Sequence, residues 1–182
     1  MSEKPDDLLP LPVGIFPVES VPRPVLLQNE QDAYLVFDAC LKGSKTSCGM
    51  ATVRLQNCLV TRFGYPNDEA LHALLGPEVY PQGIGYYGVY EVHDSSWVTQ
   101  LQEQQQQCFP HHVLPNHRHF VITFRNSTFE AIAQSVKVTV LSRRTMLARF
   151  THLLEGMVEE GYSDSGAGEP HAVEEWFSAP CR

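Results

Sequence analysis

His117-Arg118-His119-Phe120-Val121-Ile122-Thr123-Phe124-Arg125-Asn126-Ser127-Thr128-Phe129-Glu130-Ala131-Ile132-Ala133-Gln134 is the stretch whose reading decides the fold. Phe120, Ile122 and Phe124 alternate with Val121, Thr123 and Arg125, the period-two pattern of a half-buried strand. Asn126-Ser127 supplies turn residues, and Asn tolerates the positive φ that tight hairpin turns need. A two-residue loop there places Arg125 opposite Thr128, Phe124 opposite Phe129 and Thr123 opposite Glu130. One face then carries Phe120, Ile122, Phe124, Phe129, Ala131 and Ala133 and belongs to a core. The other carries His119, Val121, Thr123, Arg125, Thr128, Glu130, Ile132 and Gln134. It is expected to be wet surface or the lining of a polar pocket. A one-residue slip would exchange the faces.

Further strands flank the hairpin. Ala33, Leu35, Phe37 and Ala39 alternate with Tyr34, Val36, Asp38 and Cys40, and Val25–Leu27 can begin a short strand before them. Met50–Phe63 reads as a long strand or a strand pair, interrupted by a turn or bulge at Gln56-Asn57. Tyr86–His93 forms another, with Tyr86, Gly88, Tyr90 and Val92 on one face and Tyr87, Val89, Glu91 and His93 on the other. Val136, Val138 and Val140 alternate with Lys137 and Thr139. Asn67 or Asp68 can cap a short helix, and Asp94-Ser95-Ser96 a second that starts near Trp97. The run at Gln100 and from Gln102 to Gln107 is a low-complexity tail of that second helix. Met146, Leu147, Phe150, Leu153, Leu154, Met157 and Val158 recur at helical spacing after Ser142, predicting an amphipathic helix from Arg143 to about Glu160. The fold class is therefore α+β: mainly an antiparallel sandwich or barrel, with this helix covering a face or a dimer interface.

At 182 residues, 43% of them hydrophobic, the chain holds one domain with a full core. Residues 1–24 contain six of the thirteen prolines and read as an extended arm too apolar to be a free tail. Residues 25–160 are the β-rich domain. Residues 161–182 are an acidic flexible tail with a docking segment at Val173–Phe177. The net charge of -8 argues against general nucleic-acid binding, which needs clustered cations. No apolar run reaches membrane-spanning length, residues 1–7 lack the continuous apolar stretch expected of a signal peptide, and the five cysteines are unsuited to a disulfide framework. A cytoplasmic protein is expected.

No serine elbow or phosphate-binding loop is present, so no catalytic residues are assigned. Tyr80, Tyr86, Tyr87, Tyr90 and Trp97 crowd the middle of the chain. Tyr86, Tyr87, Tyr90 and Trp97, with Arg125 and Glu130, are the candidate ligand-binding residues, because aromatics supply contact area and polar tips. An arginine such as Arg125 can also take a carboxylate bidentately. Ordinary core packing competes with this for each aromatic. The rival is a metal-dependent enzyme with one divalent transition metal. His111, His112, His117 and His119 fall within nine positions, and His-x-His on a strand puts two rings on one face about 7 Å apart. Glu130 lies about 13 Å along the strand from His119 in the two-residue register, so Glu91 and His93 are the better further ligands for His117 and His119. Without that metal the protein needs no cofactor. Cys40 and Cys58 are read as buried, inert thiols within strands.

Phe63-Gly64-Tyr65-Pro66-Asn67-Asp68-Glu69-Ala70-Leu71 and Ser127-Thr128-Phe129-Glu130 resemble segments of small uncharacterised bacterial proteins. Through these segments and the β-rich layout, the chain is similar to the peptide-binding proteins of crocagin biosynthesis. The resemblance implies a homodimeric β protein that holds a ribosomally made precursor peptide while a partner enzyme works on it in natural-product biosynthesis. It transfers no functional residues. The expected function is non-catalytic binding of a peptide or small molecule, with an extended peptide adding to an exposed sheet edge.

Overall fold

The computed structural model describes residues 7–20, 22–41, 43–44, 46–67, 69–71 and 87–160. Among the described residues ten strands run in chain order: β1 (Asp7–Pro10), β2 (Ile15–Pro17), β3 (Val25–Gln28), β4 (Ala33–Leu41), β5 (Ser47–Gln56), β6 (Val60–Gly64), β7 (Gly88–His93), β8 (Arg118–Thr123), β9 (Thr128–Ala133) and β10 (Ser135–Leu141). Helix α1 (Ser96–Cys108) lies between β7 and β8, and helix α2 (Arg143–Glu160) follows β10. One sheet has the order β1-β7-β8-β9-β6. The other has the order β10-β5-β4, with β2 and β3 both pairing with β4. All pairings are antiparallel. The expected β-rich α+β class is present as two sheets rather than a closed barrel.

The hairpin forms, with a shifted register. Thr123 faces Thr128, Ile122 faces Phe129 and Val121 faces Glu130. The loop has four residues, Phe124–Ser127, closed by the Phe124 N–H donating to the Ser127 carbonyl at 2.9 Å. The displacement from the expected pairing is two residues. An even displacement preserves side-chain parity, so the face assignment survives. Phe120, Ile122, Phe124, Phe129, Ala131 and Ala133 are all 0% exposed. They share one core with Ala33, Leu35, Phe37 and Ala39 of β4 and Ala51, Val53 and Leu55 of β5. Phe124 meets Phe37 edge-on, ring centroids 5.2 Å apart. Of the two expectations for the opposite face, wet surface or the lining of a polar pocket, the first does not hold: Val121, Thr123, Thr128 and Ile132 are buried as well. Thr123 Oγ1 accepts from the Gly88 N–H, Thr128 Oγ1 donates to the Pro66 carbonyl, and Val121 packs with Leu8, Tyr90 and Val92.

The interruption expected at Gln56-Asn57 is a strand switch. Here β5 leaves one sheet and β6 enters the other, with Asn57 at φ +48°. Directly beside it, β9 passes into β10 through Gln134. The Gln134 N–H donates to the Gln56 carbonyl at 3.0 Å, and Asn57 Nδ2 donates to Gln134 Oε1 at 2.7 Å. A two-stranded ribbon thus turns the corner between sheets with its backbone groups satisfied. Cys58 lies in this connection rather than in a strand. It is buried, and burial pushes its thiol up to about 11, consistent with an inert role.

The proline-rich segment, expected as an extended arm, is extended where it is described and pairs into both sheets. Its residues 7–10 form the β1 edge of one sheet and residues 15–17 pair with β4 in the other. Proline is tolerated at both places because each is an edge strand, where a missing N–H breaks no ladder on the far side. The described residues up to Leu147 form one compact unit, and the chain divides from it at Ala148. Helix α2 begins in that unit, where Ser142 Oγ accepts from the Thr145 N–H. Met146 is 1% exposed, and its sulfur accepts from Thr52 Oγ1 on β5. The tail 161–182 and Tyr86 lie outside the described residues. No helix among the described residues is long and apolar enough to cross a membrane.

Candidate functional site

Helix α1 starts where the sequence signals it. Ser95 is the N-cap, and its Oγ accepts from the Val98 N–H at 3.3 Å. Asp94, at φ +53°, turns the chain out of β7 immediately before it. Trp97 is buried, the first inward residue of the helix, and meets the His119 ring edge-on at 5.2 Å. The guanidinium of Arg62, on β6, lies 3.8 Å from the centroid of the same indole, a cation–π contact. The polar run is more than a solvated tail. Gln102 Nε2 donates to the His112 carbonyl and Gln102 Oε1 accepts from the Leu114 N–H, both at 2.6 Å, so one side chain clamps the loop leading into β8.

His119 is 5% exposed, and each of its ring nitrogens has a partner. Nδ1 lies 2.9 Å from Ser95 Oγ, and Nε2 lies 3.2 Å from Glu130 Oε2. The register explains the second contact. Glu130 pairs with Val121, two residues from His119, instead of with Thr123, so the two side chains are diagonal neighbours. A carboxylate only accepts hydrogen bonds, so in the neutral ring Nε2 carries the proton and Nδ1 accepts from the Ser95 hydroxyl.

An open cleft of about 450 Å³ borders this group, lined by Glu91, Val92, His93, Asp94, Ser95, Val98, Thr99, His117, Arg118 and His119. Arg118 grips Glu91 with Nε on Oε1 at 2.6 Å and its terminal nitrogen on Oε2. That contact holds the Glu91 carboxyl below the ordinary carboxylate range, against the smaller opposing effect of burial. His117 is shifted down by burial, which outweighs the upward pull of the Asn57 and Pro115 carbonyls. Both its ring nitrogens are shut off from solvent, with no partner at hydrogen-bonding distance and angle among the described residues.

Comparison with protein-family models, curated proteins and solved structures returned no match. The site is therefore read from its own chemistry.

The candidate ligand-binding residues divide. Trp97 and Glu130 are joined through His119. Tyr90 is 2% exposed, in the cluster with Leu8, Val92 and Val121, its ring folded over Gly88, where any added Cβ would collide with it. Tyr87 is half-buried just before β7, and Arg125 is exposed in the hairpin loop, at the far end of β8 from His119. The alternative metal set is drawn in different directions. Arg118 occupies Glu91, Ser95 and Glu130 occupy His119, and His93 Nε2 stands 3.8 Å from Glu91. Among the described residues no three metal-binding side chains are grouped to share an ion. Asp94, Thr99 and Arg118 are lining residues that sequence reasoning missed, and Ser95 was legible only as a cap. Its proximity to His119 depends on how α1 folds back on the sheet, which no local pattern encodes.

Proposed function

We propose that the protein binds a peptide or small polar ligand in the cleft between the end of β7, the first turns of α1 and the start of β8. The observation that carries this is the cleft itself. Its volume falls in the range of small-molecule sites, and its walls bring together hydroxyl, imidazole, guanidinium and carboxylate groups from three elements. Arg118 and Glu91 fix one another and offer a preorganised dipole to a ligand. The peptide form of the reading has further support in β6, among the described residues an edge strand, which carries the exposed Phe63 and is flanked by the exposed Leu59 and Tyr65, so that an extended chain can add to it. Presentation of a precursor peptide to a partner enzyme, by a homodimer, follows from the sequence resemblance and belongs to the same proposal.

Calorimetry of the full chain against peptides encoded by neighbouring genes, and against small polar metabolites, tests it. Binding is expected in at least one case, and Thr99→Trp, which fills the cleft from its exposed helical wall, should weaken it at least about tenfold, the effect of losing roughly 1.4 kcal/mol. Absence of binding across the panel, or affinity indifferent to Thr99→Trp, would overturn the cleft as the site. Light scattering reads the dimer directly.

A further inference from the structure

We propose that Ser95 is a nucleophile and that the cleft hydrolyses a carboxylic ester, with His119 as base and Glu130 as the positioning carboxylate. The inference rests on the cleft being a ligand site, and it goes beyond binding.

Four observations converge. The Ser95–His119–Glu130 contacts form one continuous chain, 2.9 Å and 3.2 Å between heavy atoms. The hydroxyl accepts from the Val98 N–H, which leaves its proton free to point at Nδ1. A helix cap needs only the accepting side of that oxygen; the donating side is spent on an imidazole whose other nitrogen is held by a carboxylate. Ser95 and His119 both line the cleft, whereas Glu130 is not among the lining residues. Nucleophile and base thus meet the ligand while the carboxylate stands behind the ring, the division of roles that activates a serine. Trp97, itself covered by Arg62, holds the imidazole plane from the side. The ring is used in the reverse sense from the common serine hydrolases, with Nδ1 towards the hydroxyl. Either nitrogen can take a proton once the other is fixed as N–H.

In the first half-reaction, Ser95 Oγ bonds to the ester carbonyl carbon, its proton passes to Nδ1, and the carbonyl π electrons move onto oxygen. The positive end of the α1 dipole favours that oxyanion. Collapse breaks the bond to the alkoxy group, which leaves as the alcohol with the proton from Nδ1. Water repeats the sequence on the acyl-serine and releases the acid. The Nε2 proton stays on the ring, donated to Glu130 throughout.

The test uses the full chain, a fluorophosphonate probe and peptide mapping by mass spectrometry, with hydrolysis of p-nitrophenyl acetate beside it. Phosphonylation at Ser95 is expected, with loss of fluoride. His119→Gln should slow it about 100-fold or more, the usual range for a general base. Glu130→Gln, similar in size, should slow it and shift its pH profile while circular dichroism stays native. A purely structural Ser95–His119 contact would move neither. Ser95→Gly, which retains most capping ability, controls for folding and should abolish both labelling at this position and ester turnover. A folded protein left unmodified at Ser95, or modified at the same rate and with the same pH profile in Glu130→Gln and His119→Gln, overturns the proposal. Labelling without binding across the peptide panel would sink the ligand class and leave the nucleophile standing; binding without labelling would do the reverse.

Discussion

Glu91 and His117 make acid stability a property of single side chains at the cleft. Arg118 depresses the Glu91 carboxyl in the folded state, with a smaller contribution from His93. The unfolded chain therefore takes up that proton more readily. The stabilisation is present above about pH 4.5 and is lost as pH falls through the folded-state value. His117 follows the same sign for a different reason. Burial disfavours its charged form, so the unfolded imidazole, near 6.5, protonates first, and stability falls as pH drops below about 6.5. Urea titrations between about pH 3 and 8, below the range in which the buried Cys58 thiol enters the balance, should show midpoints level from neutrality to about pH 8 and declining in two stages below neutrality. Glu91→Gln should flatten the lower stage and His117→Gln the upper. An upper stage unchanged in His117→Gln would show that another group is titrating. The Arg23–Asp38 pair, at 2.6 Å but with the arginine side chain 52% exposed, adds little to this balance, because solvent screens such pairs.

Among the elements, the join between β5 and β10 depends on one glycine. Gly49 has φ +138°, and a Cβ there would stand 2.6 Å from the Leu141 carbonyl oxygen at the end of β10. The obstacle is backbone, so it cannot rotate aside. Gly49→Ala should cost more than the roughly 1 kcal/mol by which glycine and alanine ordinarily differ, since both strain and collision oppose it. Chemical denaturation measures the loss, and hydrogen exchange should localise it to the Met50 and Leu141 pairing. An alanine variant as stable as the parent would mean that β10 moves away at no cost. The hairpin shows the same sensitivity to local geometry. The apolar alternation of β8 and β9 was legible, but loop length was not. Asn126-Ser127 marks a turn without stating whether two or four residues make it. The four-residue answer moved Glu130 beside His119 and created the contact that the two-residue register had ruled out.

Across the whole of residues 1–147, the N-terminal segment stitches the two sheets. β1 closes the edge beside β7, and β2 covers part of β4 a few residues later. Leu8 and Ile15 are each 5% exposed. Losing a buried Leu or Ile side chain costs about 2–5 kcal/mol, and the newly bare edges of β7 and β4 would invite strand pairing between molecules. Deleting residues 1–18 should therefore lower the thermal midpoint and produce aggregates on size-exclusion chromatography. A truncated chain that melts where the parent does would refute this role. By itself the sequence determined which hairpin side chains form the core face, where α1 is capped and where the chain breaks between β5 and β6. Those features follow from local repeats of two and 3.6 residues and from residues suited to turns. Only the tertiary structure decided the even register displacement, the burial of the second hairpin face and the meeting of Ser95, His119 and Glu130. These depend on loop closure and on the docking of α1, set by contacts between residues far apart in the chain, which periodicity does not record.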